Sequence, residues 1–373
     1  ISGAFYAAVL IGCVHAFGIY FFPQATLVLI FFTMALVLAW RPQGLMGELP
    51  GAAPREKVPA FMGAASQRVL ILAAGLLWLV LSIVMVLADN YIQHVLEDVF
   101  IMMLFGLSLQ AMMSLSGWVS FGHAAYFGLG AYAAALSHLH WGFNAVQAAL
   151  CGMACAGLAA YAMSGLLQRS AGVYLAMLSL AFAQMVWASA SQWTQVTGGD
   201  NGLIGLQLLA NTSRTAFQWS LVALCALSIL GFARLVRSSM GAALQAGRDA
   251  PLRASASGLR VTSLNNRVFW LSASVAGLAG GLWTISKGAV FPSVASVASS
   301  VDALMVVLLG GVHHWLGALA GSTFLVGLGA EMGRHFDYWR GFLGLLIMAL
   351  MVFAPEGLLL VSNKQLTAHK GRT

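Results

Sequence analysis

Charge is scarce in this sequence. Charged residues make up only 8% of its 373 positions, whereas they make up roughly 25% of a typical soluble domain. Hydrophobic residues account for 60%, and the mean hydropathy is +0.86. The apolar runs are continuous rather than alternating, which favours a bundle of helices over a β-barrel. The sequence therefore predicts an all-α polytopic membrane protein.

Motifs for catalysis and metal binding are also missing. No glycine-rich loop is followed by Lys-Ser or Lys-Thr, and neither His-Glu-x-x-His nor Gly-x-Ser-x-Gly occurs. The cysteines lie inside apolar runs without metal-knuckle spacing, so no metal site and no disulfide is predicted. They are Cys13, Cys151, Cys155 and Cys225. We expect a transport protein rather than an enzyme, with no cofactor bound by this chain.

Acidic residues appear almost absent from the predicted spans, and Asp302 and Glu331 lie near span ends. A carrier coupled to protons or sodium usually needs buried acids, so the pattern favours a passive or externally driven pore. The net charge is +7, but the basic residues lie in short segments between spans, as the positive-inside rule expects. Nucleic-acid binding is therefore not predicted.

The apolar runs predict about ten spans, preceded by two N-terminal spans. The two N-terminal runs cover about 4–22 and 25–40, and the others cover about 70–88, 95–115, 116–136, 145–167, 173–193, 217–235, 268–286, 303–313, 316–332 and 342–353. The run 116–136 is rich in glycine and serine and 303–313 is short, so both predict broken or short helices. Residues 48–68 form a proline-containing polar linker.

Placing the basic segments in the cytoplasm puts the linker, Arg169, the arginine-rich segment and the tail on that side. The loops 194–215 and 287–300 then face outward. The first of these loops contains a run from Thr197 to Gly202 whose glycines permit positive φ, so a tight turn is expected.

The densest charge lies between positions 234 and 267. Six arginines stand there beside one acid, Asp249; they are Arg234, Arg237, Arg248, Arg253, Arg260 and Arg267. Residues 240–256 are rich in alanine and leucine and predict a short helix, which Pro251 is expected to shorten. Composition leaves two interpretations open, a docking segment for a soluble partner and an ordinary positive-inside loop.

Histidines offer the remaining site candidates. His123 lies in the glycine-broken span, where it is either a pathway residue or one half of an interhelical hydrogen bond. His313 and His314 stand at a span boundary without a nearby carboxylate, so packing or a solvated turn is favoured over a metal site.

Several segments resemble the LivM-type permease subunits of branched-chain amino acid ABC importers. They include SGWVSFGHAAYFGLGAYAAA (116–135), AGVYLAMLSLAFAQMV (171–186), TGGDNGLIGL (197–206), RSSMGAALQAGRDAPLRASASGLRVTSLNNRVFWLSASVAGLAGGLW (237–283), LMVVLLGGVHHWLGALAG (304–321) and FAPEGLL (353–359). These segments occur in the family's order across residues 70–361, which makes the resemblance specific.

The resemblance implies a domain organisation. Residues 1–47 resemble the C-terminal hairpin of a companion LivH-type permease, 48–68 form a cytoplasmic linker, 69–361 form a complete LivM-type permease domain and 362–373 form a cytoplasmic tail. Pro42-Gln43-Gly44-Leu45 and Pro355-Glu356-Gly357-Leu358 each close an apolar hairpin. We therefore expect this chain to be a fragment of a fused permease.

The resemblance also implies partners and a location. They are a second permease half, two cytoplasmic ABC ATPases that bind ATP and Mg, and a periplasmic or extracellular substrate-binding protein, in the bacterial cytoplasmic (inner) membrane and in contact with lipid. The small-molecule substrate is expected to be a branched-chain or related amino acid. Urea and short amides, aromatic acids, an ATP-independent channel or carrier, and a structural subunit remain alternatives.

Three groups of site residues follow from the resemblance. ATPase coupling is expected at Gly241, Leu244, Arg248, Asp249, Arg253 and Gly258. The substrate pathway is expected at Ser120, Gly122, His123 and Tyr126, and an external loop at Thr197, Gly198, Gly199, Asn201 and Gly202. The chain departs from the family pattern where Ala250-Pro251 follows Asp249, and at His313-His314.

Overall fold

The fold is described from a computed structural model, which covers residues 2–22, 25–41, 64–168, 170, 172–210, 212–312, 314, 316–335 and 338–353. Residues 48–63 of the predicted linker, Arg169, the C-terminal tail and both Pro-Gln/Glu-Gly-Leu motifs lie outside these ranges. The described part of the chain is helical almost throughout, which confirms the predicted all-α class.

Fifteen α-helices and two short strands are described. The helices are α1 (Ser2–Phe21), α2 (Thr26–Trp40), α3 (Ala64–Leu87), α4 (Asn90–Ser116), α5 (His123–Trp141), α6 (Ala145–Leu167), α7 (Val173–Gln192), α8 (Thr194–Thr197), α9 (Arg214–Arg237), α10 (Ser239–Asp249), α11 (Pro251–Ala256), α12 (Val261–Lys287), α13 (Val297–Gly310), α14 (Gly317–His335) and α15 (Trp339–Phe353). The strands are β1 (Leu203–Ile204) and β2 (Ala289–Val290). Short 3-10 turns occupy Gly199–Asn201 and Pro292–Ala295.

Six of the described helices are long and apolar enough to cross a membrane, and they make the protein multi-pass. They are Gly3–Phe21 within α1, α4, α6, α7, α9 and α12. Three shorter apolar helices add Thr26–Trp40, Ala74–Leu87 and Val297–Gly310. Each of the twelve predicted spans overlaps a described helix. Only six of these helices are both long and apolar enough to cross a membrane. For the other six, a membrane crossing stays a prediction.

The centre of the bundle is formed by α12 packed against α4, α5 and α6. Small residues line these contacts. A Cβ on Gly277 of α12 would meet the Cβ of Ala156 and the carbonyl oxygen of Gly152, and one on Gly130 of α5 would meet the backbone of Gly277. Backbones can approach this closely only without side chains, as in tightly packed membrane helices. The glycine-rich composition is thereby explained by packing.

Two turns between helices lie where the sequence predicted spans, so the predicted limits of two spans are wrong. The predicted span 116–136 is not one helix: α4 ends at Ser116, Gly117 adopts φ +70°, and α5 begins only at His123. The predicted span 303–313 also begins and ends too late, because the helix is Val297–Gly310 and Gly311 turns the chain with φ +102°. Glycine in the left-handed region stops both helices.

One side chain of α4 holds the junction between α13 and α14. The buried Gln110 amide donates to the carbonyl oxygens of Gly311, at 3.1 Å, and His314, and its oxygen accepts from Ala318 N at 3.0 Å. Burial lowers the pKa of His314, which favours the neutral imidazole in this junction. His314 thus packs at a turn, as expected, while His313 lies outside the described residues.

The two ends of the bundle differ in what they carry. At the end that we call the loop end, β1 and β2 pair antiparallel, with Leu203 opposite Val290 and Ile204 opposite Ala289. This ribbon joins the loop before α9 to the turn after α12. At the opposite end, which we call the coupling end, α10 and α11 connect the end of α9 to the start of α12.

Candidate functional site

The coupling end is built from two short helices set by local sequence. The Ser238 side chain caps α10 by accepting a hydrogen bond from Gly241 N at 3.1 Å. Ala250 leaves the helical conformation, and Pro251 occupies the first turn of α11, where its missing N–H costs no helical hydrogen bond. The single helix predicted over 240–256 is therefore divided in two at the residue before the proline.

The six predicted coupling residues lie on different faces of this segment. Gly241 and Leu244 are buried against the bundle, and a Cβ on Gly241 would meet the carbonyl oxygens of Leu235 and Val236. Asp249, Arg253 and Gly258 are exposed. The segment thus has an inner face that holds it to the bundle and an outer face that is open to a partner.

Arg248 belongs to the inner face. Its side chain is only 15% exposed, and its guanidinium donates to the carbonyl oxygen of Ser114 in the last turn of α4. Its Nε also donates to Asp249 Oδ1 at 2.8 Å. A cation is favoured at this position because the last carbonyls of a helix lack intrahelical partners and carry partial negative charge.

Leu252 is the residue of the outer face that sequence reasoning missed. Its side chain is 86% exposed at the start of α11. Charged residues and glycines give local signals in this segment, whereas one leucine in an alanine-rich stretch gives none. Leu252 lies beside the exposed side chain of Arg253.

The predicted pathway residues lie at the junction between α4 and α5. His123 is fully buried, and its Nε2 lies 2.8 Å from Ser108 Oγ of α4 and 3.4 Å from Ser272 Oγ of α12. Ser272 Oγ donates to the carbonyl oxygen of Ser108. His123 therefore makes the interhelical hydrogen bond that the sequence left as one alternative, and Ser108 and Ser272 complete a polar cluster that it did not predict.

The other predicted pathway residues surround the start of α5. Ser120 Oγ accepts from Gly122 N at 3.3 Å, and Phe121 N donates to Ser179 Oγ of α7 at 3.2 Å. A Cβ on Gly122 would collide with the carbonyl oxygen of Ser179. The junction thus passes directly against the backbone of α7, and only glycine fits there.

Aromatic rings enclose this polar cluster. Tyr126 is 2% exposed, and its ring lies 5.3 Å from that of Phe182 and 5.5 Å from that of Phe269. The Phe105 ring stacks on His123 at 5.9 Å. Ser120, Gly122, His123 and Tyr126 therefore lie together between the end of α4 and the first turn of α5. Their role in a substrate pathway stays a prediction.

The predicted external loop forms a defined turn at the loop end. Thr197 Oγ1 donates to the carbonyl oxygens of Ala190, at 2.6 Å, and Trp193, at 2.7 Å. Three glycines of the run have positive φ, namely Gly198, Gly199 and Gly202, and Asn201 lies in the 3-10 turn between them. The tight turn predicted from these residues is confirmed.

A buried carboxylate at the loop end was missed. Glu97 of α4 is 1% exposed and accepts from Arg214 Nη2 at 3.0 Å and from Gln218 Nε2 at 3.1 Å, both in α9, and from Ser286 Oγ of α12 at 2.7 Å. The expectation that the spans hold almost no acids is wrong here, because Glu97 and Asp98 lie in the predicted span 95–115.

Asp98 makes a second, more accessible ion pair beside this cluster. Lys287 Nζ lies 2.8 Å from an Asp98 carboxylate oxygen and 4.9 Å from the centroid of the Trp283 ring. An open cavity of about 330 Å³ adjoins Lys287. It is lined by Leu206, Gln207, Leu209, Ala210, Ile285, Ser286, Lys287 and Gly288.

Groups that hold a metal ion do not occur in the described part of the chain, where no three His, Cys, Asp or Glu residues cluster. The four cysteines are free thiols.

Comparison with known proteins decides the family. The profile of the family described as branched-chain amino acid transport system / permease component matches residues 91–355. The chain belongs to this permease family. The matched region includes the α4–α5 junction, the external loop and the coupling segment, and it lies inside the predicted permease domain 69–361.

Two curated relatives of this permease bear the same name, high-affinity branched-chain amino acid transport system permease protein LivM. The protein from Salmonella typhimurium is 30% identical over 306 residues, which cover 73% of this chain and 71% of the relative. The protein from Escherichia coli K12 is 29% identical over 368 residues, which cover 89% of this chain and 84% of the relative. No solved structure matches the permease.

Proposed function

We propose that this permease is the membrane subunit of an ATP-driven importer for branched-chain amino acids. The observation that carries the proposal is the continuous path from α9 through α10 and α11 into α12, with a free outer face on the two short helices. The names of both relatives support the substrate class. ATP hydrolysis belongs to partner ATPases, and Mg is bound there with the nucleotide.

The outer face of α10 and α11 is the proposed docking surface for an ATPase. Leu252 supplies an apolar anchor, and Asp249 and Arg253 supply charges of both signs beside it. Apolar anchors that become buried account for much of the binding energy at interfaces, while charged groups at the rim set orientation. Gly258 ends the surface with φ +84°.

Substrate passes, in this proposal, along the α4–α5 junction at Ser120, Gly122, His123 and Tyr126. Broken helices in transporters place polar backbone and side chains inside the membrane, where an apolar helix offers none. ATP-driven movement of the coupling segment then shifts α9 and α12, and the junction alternates between the two sides of the membrane.

The remaining partners follow from the orientation of the bundle. The coupling end faces the bacterial cytoplasm, in agreement with the positive-inside rule, and binds one of the importer's two ATPases. The second permease half pairs with this chain in the inner membrane. The loop end, with Thr197 to Gly202, faces a substrate-binding protein. The assignment of residues 1–47 to a LivH-type hairpin and of 48–68 to a linker stays a prediction.

Uptake by the assembled importer tests this function. The chain is produced with the companion permease, ATPases and binding protein of its own organism, and accumulation of labelled leucine, isoleucine and valine is measured with and without ATP. Accumulation that requires ATP supports the proposal. Uptake of urea, acetamide or benzoate in place of these amino acids would contradict the proposed substrate class. Uptake that is independent of ATP would contradict the proposal of an ATP-driven importer.

A pair of substitutions at Leu252 tests the docking surface separately. Leu252→Glu removes the apolar anchor, so ATPase that co-purifies with the permease is expected to fall at least tenfold. Leu252→Met keeps the apolar volume and serves as the matched control, with recovery close to that of the unchanged chain. Equal ATPase recovery from both variants would place the docking surface elsewhere.

A further inference from the structure

Arg248 joins the coupling segment to the broken helix inside the bundle. Its backbone belongs to α10, at the coupling end, whereas its guanidinium donates to the Ser114 carbonyl oxygen of α4. The resemblance predicted that Arg248 touches the ATPase surface. A side chain that is 15% exposed and turned toward α4 serves a different contact.

The glycine after α4 makes room for this arginine. Gly117 has φ +70°, and a Cβ there would lie 2.9 Å from Cγ and 3.3 Å from Cδ of Arg248. The aliphatic part of Arg248 therefore rests on the turn that ends α4, and its charged end reaches the last helical carbonyls. Asp249 holds the guanidinium from the exposed side through Nε.

The segment after this turn leads directly to the polar cluster. Six residues, 117–122, separate the end of α4 from His123, and His123 returns to α4 through its contact with Ser108. The last two turns of α4, the junction and the start of α5 thus form a closed loop of contacts. A displacement of Ser114 and Gly117 is transmitted to His123 because packed side chains and backbone hydrogen bonds connect them.

We propose that Arg248 is the positioning residue that transmits movement of the coupling segment to the α4–α5 junction, rather than a contact for the ATPase. Movement of α10 pulls on the end of α4 through the guanidinium and changes the exposure of the junction. The inference rests on the proposed function, because it requires an ATPase that moves α10.

The test measures the junction and not only transport. Ser120 is 1% exposed, so a cysteine introduced by Ser120→Cys reacts with a membrane-permeant maleimide only when the junction opens. Mass spectrometry of the peptide separates this position from the four native cysteines. In the assembled importer, ATP with vanadate is expected to change labelling at position 120 severalfold when Arg248 is present.

Arg248→Ala is expected to abolish this ATP response while ATPase recovery stays within twofold of the unchanged chain. Arg248→Lys keeps a donor and is expected to restore part of the response. Gly117→Ala should weaken the response by displacing the arginine side chain. Arg260→Ala removes an exposed arginine of the same basic segment and is the matched control, with the full response retained.

The outcomes separate the inference from the proposed function. Loss of ATPase recovery in Arg248→Ala assigns Arg248 to the docking surface and overturns the inference. So does an intact labelling response in that variant, and so does an absent response in the Ser120→Cys chain that keeps both Arg248 and its ATPase. Where Arg248→Ala fails to reach the membrane, Arg248→Gln is measured with the same criteria. Failure of amino-acid uptake with an intact labelling response overturns the substrate assignment alone.

Discussion

The two ends of α4 are held in different ways. At the loop end, the Glu97 carboxylate is buried and receives hydrogen bonds from side chains of both α9 and α12. At the coupling end, one arginine side chain reaches the Ser114 carbonyl oxygen, and its other partner is the exposed Asp249. The first arrangement fixes three helices against one another, whereas the second can be released with a small loss of contacts.

Because α4 is held by more contacts at the loop end than at the coupling end, movement is easier at the coupling end. Both α9 and α12 are attached to α4 through Glu97 at one end and to the coupling segment at the other. A force applied through α10 and α11 would therefore meet more resistance at the Glu97 end of α4 than at the Arg248 end. The comparison predicts that substitutions at the loop end change stability more than function, and that those at the coupling end do the reverse.

The largest effect is expected from Glu97→Ala. Removing the carboxylate takes away the acceptor that Arg214, Gln218 and Ser286 share. Arg214 keeps a contact with His94 and is 37% exposed, and Gln218 keeps one with Gln93, so we expect a cost of about 3 kcal/mol, at the low end of the range for breaking a buried ion pair. The measurement is the free energy of unfolding in mixed micelles. A cost near that of an exposed pair would show that the loop end is no more strongly fixed than the coupling end.

A smaller effect is expected from Gly122→Ala at the junction. The added methyl group would collide with the carbonyl oxygen of Ser179. Because this oxygen belongs to the backbone of α7, it cannot easily move aside, and overpacking of this kind costs about 1–3 kcal/mol. Gly165→Ala in α6 is the matched control, because a Cβ there meets nothing within 4 Å. Equal unfolding free energies for the two variants would contradict the close approach of α5 to α7.

Arg248→Ala is expected to lower the free energy of unfolding by about 1.5 kcal/mol, at the low end for a hydrogen bond from a charged group, because the half-buried Ser114 carbonyl oxygen can bond water instead. The loss of ATP-driven uptake should be at least tenfold. Stability in mixed micelles and uptake in vesicles are measured on the same preparation. A destabilisation as large as that of Glu97→Ala would remove the distinction between the two ends.

The smallest effect is expected at an exposed ion pair of α14. Glu331 and Arg334 lie 3.7 Å apart with both side chains exposed, and such surface pairs contribute about 0–1 kcal/mol. Glu331→Gln should therefore leave both the unfolding free energy and uptake nearly unchanged. A large loss in this variant would show that removal of any acid destabilises the bundle, whatever its burial.

Sequence alone predicted most of the helices because each leaves a local signal. The run 145–167 coincides with α6 to the residue, and glycines marked the broken α4–α5 junction and the turn from Thr197 to Gly202. These features depend on hydropathy and on backbone preferences, both of which are properties of neighbouring residues.

Contacts between distant positions were not predictable in the same way. Glu97 meets Arg214 and Ser286, and Arg248 meets Ser114, through helix packing that no local pattern specifies. Charge and spacing placed Arg248 in a coupling segment, but which face of α10 it occupies depends on how that helix lies on α4. The assignment of pathway and coupling residues accordingly remains a proposal, although their positions are now defined.

Glu97 also affects how α4 enters the membrane while the chain is being synthesised. Its partner Arg214 lies 117 residues later in the chain, and at ribosomal rates that delay is on the order of ten seconds. During this time α4 carries a carboxylate into the membrane before its cation exists. Until α9 arrives, the Glu97 carboxylate therefore needs water or another donor in place of Arg214, which favours release of the two helices into lipid together.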